Sequence, residues 1–213
     1  MNRHSVAGHA RAIVLLLVVT FSVIVSACAS VFDSQSRPPD EYLLETRFTP
    51  PARPLVATPA VQVLRVQAAA GYDTQRILVR RADGRLEPIL EARWIGTIPQ
   101  LIEMAAVDAL RAAGVPAQDA AAVARTPYAL QLTVRRFEVV YGADGATPTV
   151  QVVVDALWST RSDRRALQTA TAAAEVSASA NRRSAITAAF AAATEAALGE
   201  LAEKTQGVTT LQQ

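Results

Sequence analysis

The sequence predicts a mixed α/β sandwich, a β-sheet packed by two main helices, and three observations carry that prediction. An Asp-Gly pair separates two short runs of strand-forming residues. Residues 97 to 114, and again a stretch near the C-terminus, repeat apolar side chains at spacings of three and four. Between those two helical stretches lie segments in which apolar and polar residues alternate. A period near 3.6 puts apolar side chains on one face of a helix and a period of 2 puts them on one face of a strand, so both element types share a core.

Taken in order, the domain begins with Val61-Gln62-Val63-Leu64-Arg65-Val66, a run rich in β-branched residues that predicts a strand. Ile77 to Arg81 and Leu86 to Ile89 flank Ala82-Asp83-Gly84-Arg85, and Asp-Gly accepts the positive φ values of a tight hairpin. Ile98, Leu101, Ile102, Ala105, Ala109 and Leu110 line a helix between Thr97 and Gly114. Thr97 with Gln100 fits a capping box, Pro99 is tolerated in the first turn, and Gly114 followed by Pro116 stops the helix. The alanine-rich stretch 117 to 124 has no assignable period. Ala129 to Tyr141 alternates Leu130, Leu132 and Val134 against Gln131, Thr133 and Arg135, which predicts a half-buried strand, and Thr149 to Trp158 is its partner across Asp144-Gly145. Val150 to Val154 is mostly apolar and predicts a strand covered on both faces. Gln168 to Ser177 alternates weakly after a turn at Arg161 to Arg165. A second helix from Ser184 to Lys204 carries Ile186, Ala189, Phe190, Ala193, Ala197, Leu198 and Leu201 on one side. No internal repeat is present.

The N-terminus has a different character. Arg3 and Arg11 form a basic region, and Ala12 to Val25 is an apolar stretch of roughly 14 residues, short for a bilayer core of about 30 Å. It ends in Val25-Ser26-Ala27-Cys28, which resembles a bacterial lipobox. That resemblance implies cleavage between Ala27 and Cys28, with diacylglycerol on the Cys28 thiol and an acyl group on the new amino terminus. An ordinary secretory signal or an N-terminal transmembrane helix is the alternative. Cys28 is the one cysteine of the chain, so it has no internal disulfide partner, which favours modification. Several acyl chains, each worth about 0.8 kcal/mol per buried methylene, hold a protein stably at a membrane. The predicted organisation is therefore a signal peptide over 1–27, a lipidated tether over 28–59, an α/β domain over 60–206 and a tail over 207–213. Pro38, Pro39, Pro50, Pro51, Pro54 and Pro59 stiffen the tether. Within it, Tyr42-Leu43-Leu44 is an apolar island that reads either as an edge strand or as a sticky patch of linker.

Composition excludes more than it selects. The formal charge of +2 is supplied by Arg3 and Arg11, so removal of residues 1 to 27 leaves a mature part near neutral, which gives no support for nucleic-acid binding. The pairs Arg80-Arg81, Arg135-Arg136, Arg164-Arg165 and Arg182-Arg183 read as solvated turn or edge residues. His4 and His9 are the only histidines and both lie in the cleaved segment. Without imidazole or a free thiol, Ser-His-Asp and Cys-His catalysis and nitrogen- or sulfur-ligated metal sites lack their atoms. Carboxylates alone could hydrolyse glycosides, but aromatic residues make up 5% of the chain and none clusters around an acidic pair. The expectation is a protein that is no enzyme and carries no metal or cofactor beyond the lipid on Cys28.

Several strings resemble the ABC-type transport auxiliary lipoproteins, the family that includes the paraquat-inducible protein C-like lipoproteins. They are Tyr42-Leu43-Leu44, the run Gly71-Tyr72-Asp73-Thr74-Gln75-Arg76-Ile77-Leu78-Val79-Arg80, Glu91-Ala92-Arg93-Trp94 leading into the first helix, and the strand Leu130 to Phe137. The resemblance implies that Trp94 packs the helix start onto the sheet, and that Gly71, Tyr72 and Asp73 form either a structural bend or a contact loop. It further implies an accessory subunit of a phospholipid transport system, partnered by an MCE-domain protein and an ABC permease and ATPase, and able to form homo-oligomers. Ala29 and Ser30 stand after the cysteine where an aspartate often marks inner-membrane retention, so the expected location is the periplasmic face of the outer membrane. An envelope-assembly lipoprotein and a small lipid-anchored solute-binding protein are the competing readings.

Overall fold

A computed structural model of the chain describes residues 38–49, 60–142 and 147–210. The signal segment, Ala27, Cys28, most of the proline-rich stretch, Asp144-Gly145 and the last residues of the tail lie outside the described residues. Residues 39 to 213 form one compact unit, to which everything below refers. Its described residues form a nine-stranded mixed sheet and two helices, the predicted α/β class.

β7 (Tyr128–Tyr141) is the spine of the sheet. Along one edge it pairs antiparallel with β8 (Pro148–Thr160), which pairs antiparallel with β9 (Ala166–Ser177). Its other edge is shared by three short parallel strands in succession: β2 (Val61–Val63) opposite residues 128 to 130, β3 (Gln67–Ala68) opposite 133 and 134, and β4 (Arg76–Arg80) opposite 139 and 140. β5 (Leu86–Trp94) returns antiparallel to β4, and β1 (Asp40–Tyr42) adds a parallel edge to β5. β6 (Ala117–Gln118) lies beside β2. The apolar island of the predicted tether thus supplies an edge strand, two residues earlier than Tyr42-Leu43-Leu44, and Tyr42 and Leu44 pack on the core.

The hairpin forms where Asp-Gly stands, with Arg80 opposite Leu86. Only Gly84 takes a positive φ, of 85°. Its N–H donates to Arg81 O at 2.9 Å, so the connection is a turn closed by one left-handed glycine rather than a two-residue loop. α1 (Ile98–Ala112) begins as predicted: Gln100 Oε1 accepts the Thr97 N–H at 3.0 Å. At its end Gly114 adopts φ 83°, its N–H donates to Arg111 O, and Val115 N–H donates to Leu110 O. That double bond pattern is a Schellman stop, which requires a residue free to take positive φ.

Register decides which side chains reach the core. Between Val134 and Arg136 the β7–β8 pairing shifts by one residue. The even-numbered core positions Leu130, Leu132 and Val134 give way to odd-numbered Phe137 and Val139, all buried. A strand alternates with period 2, so without this bulge Phe137 would point away from the helices. Instead it stacks on Phe190 with ring centroids 4.6 Å apart, and Trp94 packs edge-on against both, at 5.8 and 5.3 Å. α2 (Arg183–Thr210) covers β8 and β9 with Ala185, Ala189, Ala193 and Ala197 buried beside Phe190 and Leu198. Alanines hold no bulk between backbone and sheet, so the helix sits close. Trp158 on β8 secures its far end, donating its indole N–H to Thr205 Oγ1 at 2.9 Å. By length and composition α2 could cross a membrane, but its apolar side chains are the core of this domain.

Two expectations are corrected. Glu91-Ala92-Arg93-Trp94 does not lead into the helix; it is the end of β5, where Glu91 takes φ 54°, and Trp94 N–H donates to Gln75 O at 2.7 Å. Trp94 therefore joins sheet to α2 through Phe137 and Phe190. Val150 to Val154 is not covered on both faces: Val150, Val152 and Val154 are buried while Gln151 and Val153 are half-buried, because both helices lie on one side of the sheet. Phe190→Ala should accordingly destabilise the domain by about 3–5 kcal/mol in urea titrations, while Val123→Ser, at a loop site 98% exposed, should stay within about 0.5 kcal/mol.

Candidate docking groove and a buried tyrosine

Of the three residues singled out as bend or contact loop, only two are accessible. Gly71 and Asp73 are exposed and Tyr72 is buried. Gly71 has φ 94°, a backbone that favours glycine, and that turn sends the Tyr72 ring inward. The Tyr72 hydroxyl donates to Glu138 Oε2 at 2.5 Å, Arg80 Nε donates to Glu138 Oε1 at 2.6 Å, and Arg80 Nη2 donates to the Tyr72 oxygen at 3.1 Å. Glu138 is fully buried. The bulge that turns Phe137 and Val139 toward the helices turns Glu138 to the opposite face, and the 69–75 loop closes over it there. Arg80, read from sequence as a solvated turn residue, is instead the counter-ion of a buried carboxylate.

Burial, then donation to Glu138, pushes the Tyr72 hydroxyl from 10.0 up to about 12. The Glu138 bond raises the Arg80 guanidinium as well, above its ordinary value. Tyr72 thus holds its proton more tightly folded than unfolded. The stability this supplies is complete below pH 10 and is lost as pH rises from about 10 through 12. Tyr72→Phe, which leaves one Glu138 oxygen without its donor, should cost about 1–3 kcal/mol at neutral pH, a fall in Tm of about 2–10 °C. In melts between pH 10 and 12 the wild-type Tm should fall more steeply than that of the variant, which has no phenol to ionise at this site.

Asp73 opens onto a groove of about 1280 Å³. One wall is Leu43 and Leu44, where the chain leaves β1. Another is the 65–68 segment, the end of the β2–β3 connection and β3 itself. The floor is the β5–α1 junction, Ile95 to Thr97, together with the outer side of α1. Alternation in the extended 42–44 segment packs Tyr42 and Leu44 on the core and turns Leu43 out, 57% exposed. Ile95, 53% exposed, follows buried Trp94, and Met104, 66% exposed, stands on the side of α1 away from its buried stripe. Three of the six large exposed apolar side chains among the described residues therefore converge on one groove.

The groove also carries charge. Glu103 Oε2 accepts Val66 N–H at 3.2 Å, Arg111 Nε donates to Ala117 O at 3.0 Å, and Asp119 Oδ1 accepts the N–H groups of Ala121 and Ala122. Asp73 and Asp108 have no hydrogen bond or ion pair among the described residues. Pockets that enclose small molecules run to about 300–1,000 Å³ and bury most of their ligand; a larger, open trough with an apolar floor and free carboxylates suits a polypeptide segment. Among the described residues no group of three or more His, Cys, Asp or Glu is placed to hold a metal. Ile95 and Met104 were not singled out from sequence, although Met104 followed by Asp108 one turn later, off the apolar stripe of α1, was a visible signal.

The profile of a family described as an ABC-type transport auxiliary lipoprotein component matches residues 42–205. Among solved structures, the protein XCC0632 from Xanthomonas campestris is 26% identical, with a TM-score of 0.71 over 81% of this chain and 97% of its own. A second, an uncharacterized protein, is 13% identical with a TM-score of 0.63, over 79% of this chain and 99% of its own, and shares the fold. None of the curated protein sequences matches the chain.

Proposed function

Because the chain belongs to the ABC-type transport auxiliary lipoprotein family, we propose that it is a lipid-anchored, periplasm-facing, non-enzymatic accessory subunit of an ABC transport system that moves phospholipid between membranes. Its partners on this reading are an MCE-domain protein and the permease and ATPase of the same system. The observation that carries the proposal is the family match over residues 42–205 downstream of a lipobox ending at Cys28. Cys28 would carry the acyl chains as the only prosthetic group. Ala29 and Ser30 favour the outer membrane's periplasmic face.

The groove supports a docking role. Leu43, Ile95 and Met104 offer apolar area, and Asp73, Asp108 and Arg65 offer unpaired charge of both signs, so the complementary segment of a transport subunit is amphipathic. Such a subunit positions a partner and transforms nothing, which fits a mature chain without histidine.

Crosslinking pull-down of the tagged full-length protein from its own envelope, with mass spectrometry, tests the reading. An MCE-domain or ABC subunit should be recovered, and Cys28→Ala should weaken its recovery because the protein leaves the membrane. Recovery of only barrel or glycan-export proteins would replace the proposal with the envelope-assembly reading. Leu43→Glu with Met104→Glu should lower recovery about tenfold, the effect of losing roughly 1.4 kcal/mol at a binding hot spot, and leave the Tm within a few degrees.

A further inference from the structure

Two loops meet at one end of the sheet. Arg161 N–H, in the turn between β8 and β9, donates to Pro127 O at 2.8 Å, and Tyr128 stands opposite Thr160 in the adjoining ladder. The turn, residues 161 to 165, is thereby laid beside the stretch 119 to 127 that joins β6 to β7. Arg125, Arg161, Arg164 and Arg165 fall on these two loops and all are exposed. Asp119 and Asp163 are the only acids on them, so four arginines against two aspartates leave this end at +2. Both aspartates are engaged locally. Asp163 accepts from Thr160 Oγ1 and Arg165 N–H and pairs with Arg165, and Asp119 accepts the N–H groups of Ala121 and Ala122. The side chains of Arg125, Arg161 and Arg164 have no hydrogen bond or ion pair among the described residues.

Both loops are held in fixed shapes. The alanine-rich loop is fastened by two buried amides: Gln62 Nε2 donates to Asp119 O at 3.3 Å and Ala122 O at 3.2 Å, and Gln118 Nε2 donates to Ala124 O at 2.6 Å. Val123, the next residue but one before Arg125, is left 98% exposed. In the turn, Arg164 takes φ 56°, a left-handed backbone that glycine adopts freely and other residues adopt at a cost. A strained position filled by an arginine with no partner in its own chain points to a partner outside it. Asp119 and Ala121 also line the groove described above, so the arginine end continues the rim of that groove.

We infer that this end docks an acidic segment of a partner protein, whose carboxylates meet Arg125, Arg161 and Arg164 while an apolar side chain covers Val123. Guanidinium groups bind carboxylates through paired, charge-assisted hydrogen bonds, and loops already fixed in shape lose little freedom on binding. Chain direction selects a protein over the anchoring bilayer. β1 runs parallel to β5, and β5 starts opposite Arg80, at the end of the sheet where Tyr141 stands. The chain arriving from Cys28 therefore joins the domain from the Tyr141 side, and the arginines stand at the Tyr128 end. On the lipid-anchor reading, on which this step rests, the arginine end is the one remote from the membrane attachment.

The photocrosslinker p-benzoyl-phenylalanine, placed at Val123 of the full-length protein and irradiated in its own envelope, tests the inference. A discrete protein adduct should form, and mass spectrometry should map it to a peptide in which Asp and Glu outnumber Lys and Arg. Its yield should fall about tenfold with Arg161→Ala plus Arg164→Gly, and should also fall as NaCl rises from about 50 to 500 mM. Arg182→Ala, which removes an exposed arginine near the start of α2, should leave the yield unchanged. Glycine relieves the backbone at 164, so the Tm of the double variant should be no lower than that of the wild type, which separates lost docking from lost fold. A lipid adduct, an adduct to a second copy of this chain, a peptide without acidic excess, a yield indifferent to the two arginines, or no adduct would each overturn the proposal. Alkaline carbonate extraction of the same envelopes reads the anchor separately: a protein that washes off overturns lipidation at Cys28, while the adduct still decides the docking.

Discussion

The one-residue shift between Val134 and Arg136 in β7 is the constraint on which the rest of the domain depends. A strand that kept strict alternation for fourteen residues could serve either the α2 interface at its start or the aromatic cluster at its end, but not both. The extra residue reverses parity once. Upstream, Leu130, Leu132 and Val134 face the helices; downstream, Phe137 and Val139 do so, and Phe137 completes the contact with Trp94 and Phe190. Aromatic packing at these separations adds to plain area burial, and here it joins β5, β7 and α2, three elements far apart in sequence.

The same reversal has a cost that the fold has to offset. It turns Glu138 into a fully buried position, where an unpaired carboxylate would be strongly destabilising. Two donors meet it: Arg80 from β4, the strand paired beside this end of β7, and Tyr72 from the loop just before β4. Both acceptor oxygens are engaged and the arginine remains partly in solvent, which limits the desolvation of the pair. A polar cluster of this kind specifies arrangement: it fixes the 69–75 loop over the sheet, and thereby holds Asp73 at the mouth of the groove.

The groove follows from how β7 is filled along its second edge. Three short parallel strands take turns on it, and the chain must leave the sheet between them, at 64 to 66 and 69 to 75. Those departures, with α1 and the end of β1, surround a space that no element among the described residues fills. On the proposed reading this is where a transport subunit docks, while the anchor and the proline-rich segment set the distance from the membrane.

How far the sequence alone reaches can be judged element by element. Local signals determined local structure: Thr97 and Gln100 set the start of α1, Gly114 its end, Gly84 the hairpin, and the apolar alternation of residues 129 to 141 and 149 to 158 the long strands. Each depends on contacts within a few residues, and such contacts are written in neighbouring letters. The fold class followed, as did the family resemblance. Other features were decided only by tertiary structure. Trp94 reads as a helix-start residue until β1 and Gln75 capture its strand. Arg80 reads as solvent-facing until the bulge sets a carboxylate beside it. Tyr72 reads as a contact residue until Gly71 turns it inward, and Leu43, Ile95 and Met104 are unremarkable letters until three separate segments bring them together. Apart from Gly71, which adjoins Tyr72, the deciding partners lie well away in sequence, and for Arg80 the position of the carboxylate depends on a register shift that no local pattern of residues announces.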